Sequence, residues 1–214
     1  MREEYLLYRT YNQLTPHSFR ARFGEITYVD TRGKIDTLVK PMFFIEPQEQ
    51  MAARCGGKLL KVKQVHPNQT NIEQATLTAF FAYMVGNTDW SIPGLHNIRL
   101  VRTSPAEPPI CVPYDFDWSG AIAAPYAKPN PQLGINSVRE RVFRGFCQDE
   151  NMFRAVADSF QIHKTEILDL YRTMPGLPEK RLTRAVEYYE SFYAILDDPK
   201  KFRREILDRC RTTK

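Results

Sequence analysis

Between residues 86 and 120 the chain reads GNTDWSIPGLHNIRLVRTSPAEPPICVPYDFDWSG, and four of its acidic or amide side chains are candidates for metal work, standing where apolar runs give way to turns. They are Asp89, Asn97, Asp115 and Asp117. Loops at the ends of packed elements are where reacting groups are usually carried. An Asn carbonyl and one or two carboxylates supply the oxygen donors that a hard cation such as Mg²⁺ or Mn²⁺ takes, with phosphate oxygens completing its shell. A separate Asp within reach of a hydroxyl can orient and deprotonate it. Asn97, Asp115 and Asp117 are thus candidate metal donors and Asp89 a candidate for acceptor activation. Each also has a plainer role: Asp89 as a turn residue bonding backbone amides, Asn97 as the start of a strand.

The elements around these residues follow from periodicity. An apolar helix pattern over 72–85, capped by Asn71 and stopped by Gly86, delivers Asp89 just past its end. A strand pattern over 98–101 follows Asn97. A second, through Ile110, Val112 and Tyr114, delivers Asp115 and Asp117, which share one face if the strand continues. Upstream, residues 3–14 read as a helix. Residues 19–28 and 38–45 form a β-hairpin about the turn at 30–33, and residues 47–55 form a short helix closed by Gly56-Gly57. Lys58, Lys61 and Lys63 alternate with apolar residues as a solvated edge strand. The Pro-rich stretch after Gly120 is irregular, and helices follow over 137–146, 151–160, 164–174, 178–196 and from Asp198-Pro199 to Cys210.

In order, the parts are helix, Asp loop, Asn, strand, turn, strand, Asp. That order resembles the catalytic half of protein-kinase-like domains. Asn87-Thr88-Asp89, His96-Asn97 and Tyr114-Asp115 resemble the loops of atypical kinases: the HipA-type, CotH-type and phosphoinositide-kinase-like families. The runs EYLLYRTYN, FFIE, AARCGG and PYDFDWSG are similar to an uncharacterised bacterial group related to CotH and HipA, over residues 3–147. Asp89 and Asn97 stand eight positions apart, against five in the ordinary kinase loop, so residues 92–94 must bulge as a turn. The Gly-rich loop and strand Lys of kinases would precede the first helix. The expectation is accordingly a fragment or a reduced member of the group.

The resemblance implies an α+β, protein-kinase-like fold. A small partial lobe (residues 1–47) carries the hairpin and a hinge at 43–47, where Ile45 and Glu46 meet the nucleotide. A larger, mostly helical lobe (residues 48–214) carries the catalytic loop 86–97 and the metal loop 113–120. It implies the division of roles, metal binding by Asn97, Asp115 and Asp117 and acceptor activation by Asp89. It implies ATP as co-substrate and an acceptor, protein or small molecule, that the sequence does not identify. Glu4 stands where kinases place the helix Glu that pairs with the strand Lys, and His96 is read as a backbone brace. Trp90 and Trp118 each follow or closely follow a candidate Asp and would shield the site. Two other readings stay open: a nucleotide-binding module without turnover, and a metal-dependent phosphoesterase or nuclease using Asp89, Asp115 and Asp117.

Composition sets outer bounds. The chain has 214 residues, 43% hydrophobic and 26% charged, which suits a packed globular core. Its net charge of +5 favours an anionic partner such as a nucleotide. No recognised nucleic-acid motif accompanies that charge, so nucleic acid is not the expected partner. No apolar run reaches the ~20 residues of a membrane span. The four cysteines lack metal-site spacing and read as core thiols, with a Cys111–Cys147 disulfide in an exported protein as the alternative. The compartment stays open.

Overall fold

A computed structural model describes residues 1–212 and shows an α+β fold; among these residues are seven α-helices and two small sheets. Helix α1 (Arg2–Leu14) carries Leu6, Leu7, Tyr8 and Tyr11 on its buried side and ends at the extended Thr15, before Pro16. Strands β1 (Ala21–Tyr28) and β2 (Leu38–Ile45) pair antiparallel from Ala21↔Ile45 to Tyr28↔Leu38. The turn between them is tied by the Asp30 carboxylate, which accepts from the amides of Arg32, Lys34 and Ile35. Helix α2 (Gln48–Arg54) follows, and strands β3 (Lys58–Leu59), β4 (Ile98–Arg102) and β5 (Ile110–Pro113) form an antiparallel sheet in that order.

Helix α3 (Ile72–Val85) is the centre of the molecule. The Asn71 side chain accepts from the Gln74 amide to open it, and Gly86, at φ 67°, closes it. It is apolar all round because it is packed all round. Phe80, fully buried, has the rings of Phe143, Phe153, Phe160 and Phe202 within 5.3–6.3 Å. Helices α4 (Glu150–Ile162), α5 (Lys164–Arg172), α6 (Glu179–Leu196) and α7 (Pro199–Glu205) wrap this core. Helix α1 joins the hairpin to it: Tyr5 packs on Phe23 and Tyr8 on Phe43, while Tyr8 also meets Phe116 and Tyr11 meets Phe81.

Five local expectations are corrected. Residues 137–146 form no helix but an irregular strap. Its arginines donate to carbonyls of other elements, Arg141 to Met84 and Tyr188 and Arg139 to Gly120, and those tertiary bonds replace helical ones. The lysine-rich strand is two residues long: after the Leu60 amide donates to Leu100, residues 61–64 run exposed, their lysines solvated. The last helix stops at Glu205 and gives way to a 3₁₀ turn over Leu207–Arg209. Asp115 and Asp117 do not continue β5, which ends at Pro113. Cys147 pairs with Cys210 rather than Cys111, which lies fully buried in β5 with its thiol pushed up to about 12 by desolvation.

Candidate functional site

Gly86 turns the chain out of α3, and the loop that follows is built by its own side chains. The buried Asn87 accepts the Asp89 amide on its Oδ1 at 2.8 Å, an Asx-type turn that aims Asp89 back across the loop. Asp89 Oδ1 bonds His96 Nε2 at 2.9 Å, and Asp89 Oδ2 accepts from Asn97 Nδ2 at 3.1 Å. Asn97 Nδ2 also donates to the Asp89 carbonyl at 2.8 Å, leaving the Asn97 carbonyl oxygen turned away from Asp89. Residues 92–95 bulge out as a turn, and the Ser91 and His96 backbones close its base with two hydrogen bonds of 2.9 and 3.0 Å. The expected extra turn between Asp89 and Asn97 is therefore present, while the His96 ring bonds the Asp89 carboxylate and not the backbone it was expected to brace.

Asp115 and Asp117 are brought together by backbone geometry rather than strand alternation. Asp115 sits at φ 61° and Asn97 at φ 53°, both in the left-handed region that costs a non-glycine residue energy and that functional loops often retain. The two are linked, since the Tyr114 amide donates to the Asn97 carbonyl at 3.1 Å. The Asp115 amide donates to Tyr8 Oη of α1 at 2.9 Å. Asp115 is open to solvent on one side. Even so, partial desolvation raises its carboxyl above the ordinary range, followed by the charge of Asp117, a hydrogen bond shared with it, and the charge of Asp89. Tyr126 Oη donates to Asp117 Oδ2 at 3.0 Å.

Glu4 joins the same group. Burial pushes its carboxyl up to about 7, opposed by the N-terminal amine and reinforced by Asp117 and Asp115. Among the described residues no Lys or Arg forms an ion pair with Glu4, Asp89, Asp115 or Asp117, and His96 is the only partner of that kind. No three His, Cys, Asp or Glu side chains there form a ready-made metal cage. The donors that fit a hard cation are the side-chain Oδ1 of Asn97 and the Asp115 and Asp117 carboxylates, whose mutual repulsion a cation would relieve.

Ile45 and Glu46 stand apart from this group, at the end of β2. The Glu46 amide donates to the Arg20 carbonyl at 2.9 Å, and its carboxylate grips Arg54 at 2.7 and 3.0 Å. The link to the acidic group runs through neighbours. Gln48 accepts from Arg99 Nε at 2.8 Å, and the Arg99 guanidinium lies 4.4 Å above the Tyr114 ring, next to Asp115. Trp90 is buried and Trp118 is partly exposed. A cavity of about 650 Å³ borders the loop at Gly94, Leu95 and Ile98 and reaches Gln48 and Arg99, while others of about 600 and 360 Å³ lie beside Arg9 and Arg54 and beside Gln74 and Val156.

Sequence reasoning placed Asn87 in the catalytic-loop motif without a role and did not assign Tyr8, Tyr126 or Arg144 to the site. Tyr8 had a signal: it lies four residues after Glu4, on the same helix face. Asn87 is a local partner, two residues before Asp89, whereas Tyr126 and Arg144 are brought in by the fold. A scan of protein-family models, a search of curated proteins and a search of solved structures each return no match for this chain.

Proposed function

We propose that the chain is an atypical kinase-like domain that transfers a phosphoryl group from ATP to an acceptor hydroxyl. The observation that carries this reading is the hydrogen-bonded Asp89–His96–Asn97 loop beside the Asp115–Asp117 pair, where α1 meets the ends of α3 and β5. In this reading Mg²⁺ would be held by Asn97 Oδ1 and Asp115, with Asp117 as further ligand, and would neutralise charge developing on the phosphates. Asp89 orients the acceptor hydroxyl and takes its proton. His96 and Asn97 fix the Asp89 carboxylate so that little freedom is lost on reaction. The left-handed backbone turns the chain sharply at Asn97, just before β4, and at Asp115, just after β5.

A second reading, nucleotide binding without turnover, is favoured by one specific feature. Both Asp89 oxygens already accept hydrogen bonds within the loop, which leaves less basic character for an acceptor. The two readings separate in a paired experiment. ATP with Mg²⁺ at a hundredfold excess over Kd should raise Tm by about 5–10 °C. Asp115→Asn should abolish that shift, because a neutral amide cannot replace a charged ligand. Asp89→Asn should keep the shift while lowering phosphate transfer by ~10²-fold or more. A shift without transfer in the parent chain supports the binding-only reading. Shifts with metal but never with nucleotide support a phosphoesterase instead, and no shift in either case ends both nucleotide readings.

A further inference from the structure

The strap between the buried Phe143 and the exposed Cys147 does more than cover the core. Arg144 Nη1 donates to the carbonyl oxygen of Thr88 and, at 3.0 Å, to that of Trp90, the peptide oxygens on either side of Asp89. Its guanidinium lies 5.9 Å from the Trp90 ring centre. Among the described residues no carboxylate lies within ion-pair distance of Arg144, although the Asp89 charge acts on it. A half-buried guanidinium without an acid partner is costly unless its N–H groups are used, and here one of them holds the backbone of a single loop.

The other side of the strap is latched to the C-terminal segment. The Arg211 amide donates to the Gly145 carbonyl at 2.8 Å and the Cys147 amide to the Arg211 carbonyl at 2.9 Å, giving a parallel bridge between Phe146 and Arg211. The Cys147–Cys210 disulfide fixes that bridge covalently, with a Cα–Cα distance of 4.9 Å. Thus a chain of bonds runs from Cys210 through the strap to the two carbonyls flanking Asp89.

We infer that Arg144 is the positioning residue of the Asp89 loop and that the Cys147–Cys210 disulfide, by holding the strap, sets how firmly that loop is held. The inference rests on the reading of Asp89 as the acceptor-orienting group. Side-chain bonds from His96 and Asn97 aim the carboxylate, while Arg144 fixes the peptide plane that enters Asp89 and the one that follows Trp90. Reduction by dithiothreitol takes two electrons and two protons from the reagent, yields two thiols and its cyclic disulfide, and frees the strap end.

The test compares the full chain with Arg144→Ala, Arg144→Lys and the double variant Cys147→Ser/Cys210→Ser. Amide hydrogen exchange and Mg²⁺-dependent ATP turnover are measured on each. Arg144→Ala should accelerate exchange selectively at residues 88–97 and lower kcat by about ten- to a hundredfold. KM for ATP should change much less than kcat, since Asp115 and Asp117, two of the three proposed metal donors, lie outside the loosened loop. Arg144→Lys should recover part of kcat, as one ammonium can reach one carbonyl. The double serine variant, or the parent chain reduced with dithiothreitol, should show the same local acceleration in smaller measure. Exchange that rises evenly along the chain, or kcat and KM that move together, overturns the inference. If Arg144→Ala does not fold, unchanged exchange at 88–97 in both other variants overturns it equally. If the parent chain turns over no ATP, the phosphoryl-transfer reading fails, and the clamp is judged by exchange alone.

Discussion

Glu4 is the residue whose chemistry is most altered by its surroundings. Its carboxyl stands at about 7 in the folded chain, chiefly because burial disfavours the charge, against an unfolded value of 4.5. Between those two values the folded state holds more protons than the unfolded one, so stability falls as pH rises through that window. Below about 4.5 the group is protonated in both states and contributes no slope. Glu4 is only partly buried, so solvent discounts the effect to about 1–2 kcal/mol. Unfolding by urea at pH 4.5 and pH 7.5 should show this decline, and Glu4→Gln should reduce it. Asp115, raised for related reasons, adds a slope of the same sign. If Mg²⁺ binds as proposed, it should stabilise the chain most at the upper end, where the raised Asp115 carboxyl must carry charge. A flat profile that Glu4→Gln leaves unaltered would remove Glu4 from the acidic group.

At the scale of elements, the critical joint is the end of α3. Gly86 sits at φ 67°, and a Cβ there would meet Tyr188 Oη at 2.1 Å and the Gly120 Cα at 3.3 Å. The Gly120 amide donates to the Gly86 carbonyl at 3.0 Å, so the joint ties the segment after Asp117 to the start of the Asp89 loop. Gly86→Ala therefore adds backbone strain of about 1–2 kcal/mol to an overpacking cost of roughly 1–3 kcal/mol. Tm should drop by about 5–15 °C. Gly134 offers the matched control: its φ is 65°, yet nothing lies within 4 Å of an added Cβ. Gly134→Ala should show the strain alone, about 1–2 kcal/mol. Equal Tm losses for the two would mean that contact with Tyr188 does not hold the joint.

For the whole molecule, Phe80 is where the helices converge. It touches rings from the strap, α4 and α7, and its helix ends at the acidic group. Phe80→Ala should cost about 3–5 kcal/mol, because none of those rings can close the cavity without breaking its own packing. The loss should appear in one cooperative transition, read by far-UV circular dichroism and by fluorescence of the buried Trp90. Separate transitions for the two probes would mean that the hairpin end and the helical end unfold independently. Helix α1 argues for one transition, since Tyr8 packs on Phe43 of the hairpin and on Phe116 of the larger part.

Local rules in the sequence determined most of the elements. The Asn71 cap and Gly86 stop bound α3 to the residue, and alternation bound both hairpin strands, because each signal acts within a few residues of the chain. The spacing of Asp89, Asn97 and Asp115 likewise named residues that the fold gathers into one region. Tertiary structure decided the rest. Helical spacing over 137–146 lost to arginines whose best partners are carbonyls on α3, α6 and the Asp89 loop. Strand alternation at Asp115 lost to a left-handed turn tied to Tyr8, more than a hundred residues earlier. Cys147 found Cys210 across 63 residues, a pairing that spacing cannot select, while Cys111 was claimed by the core. Propensity is a sum over near neighbours, whereas the partner of a guanidinium, a thiol or a carboxylate is whatever the folded chain brings within a few ångströms of it.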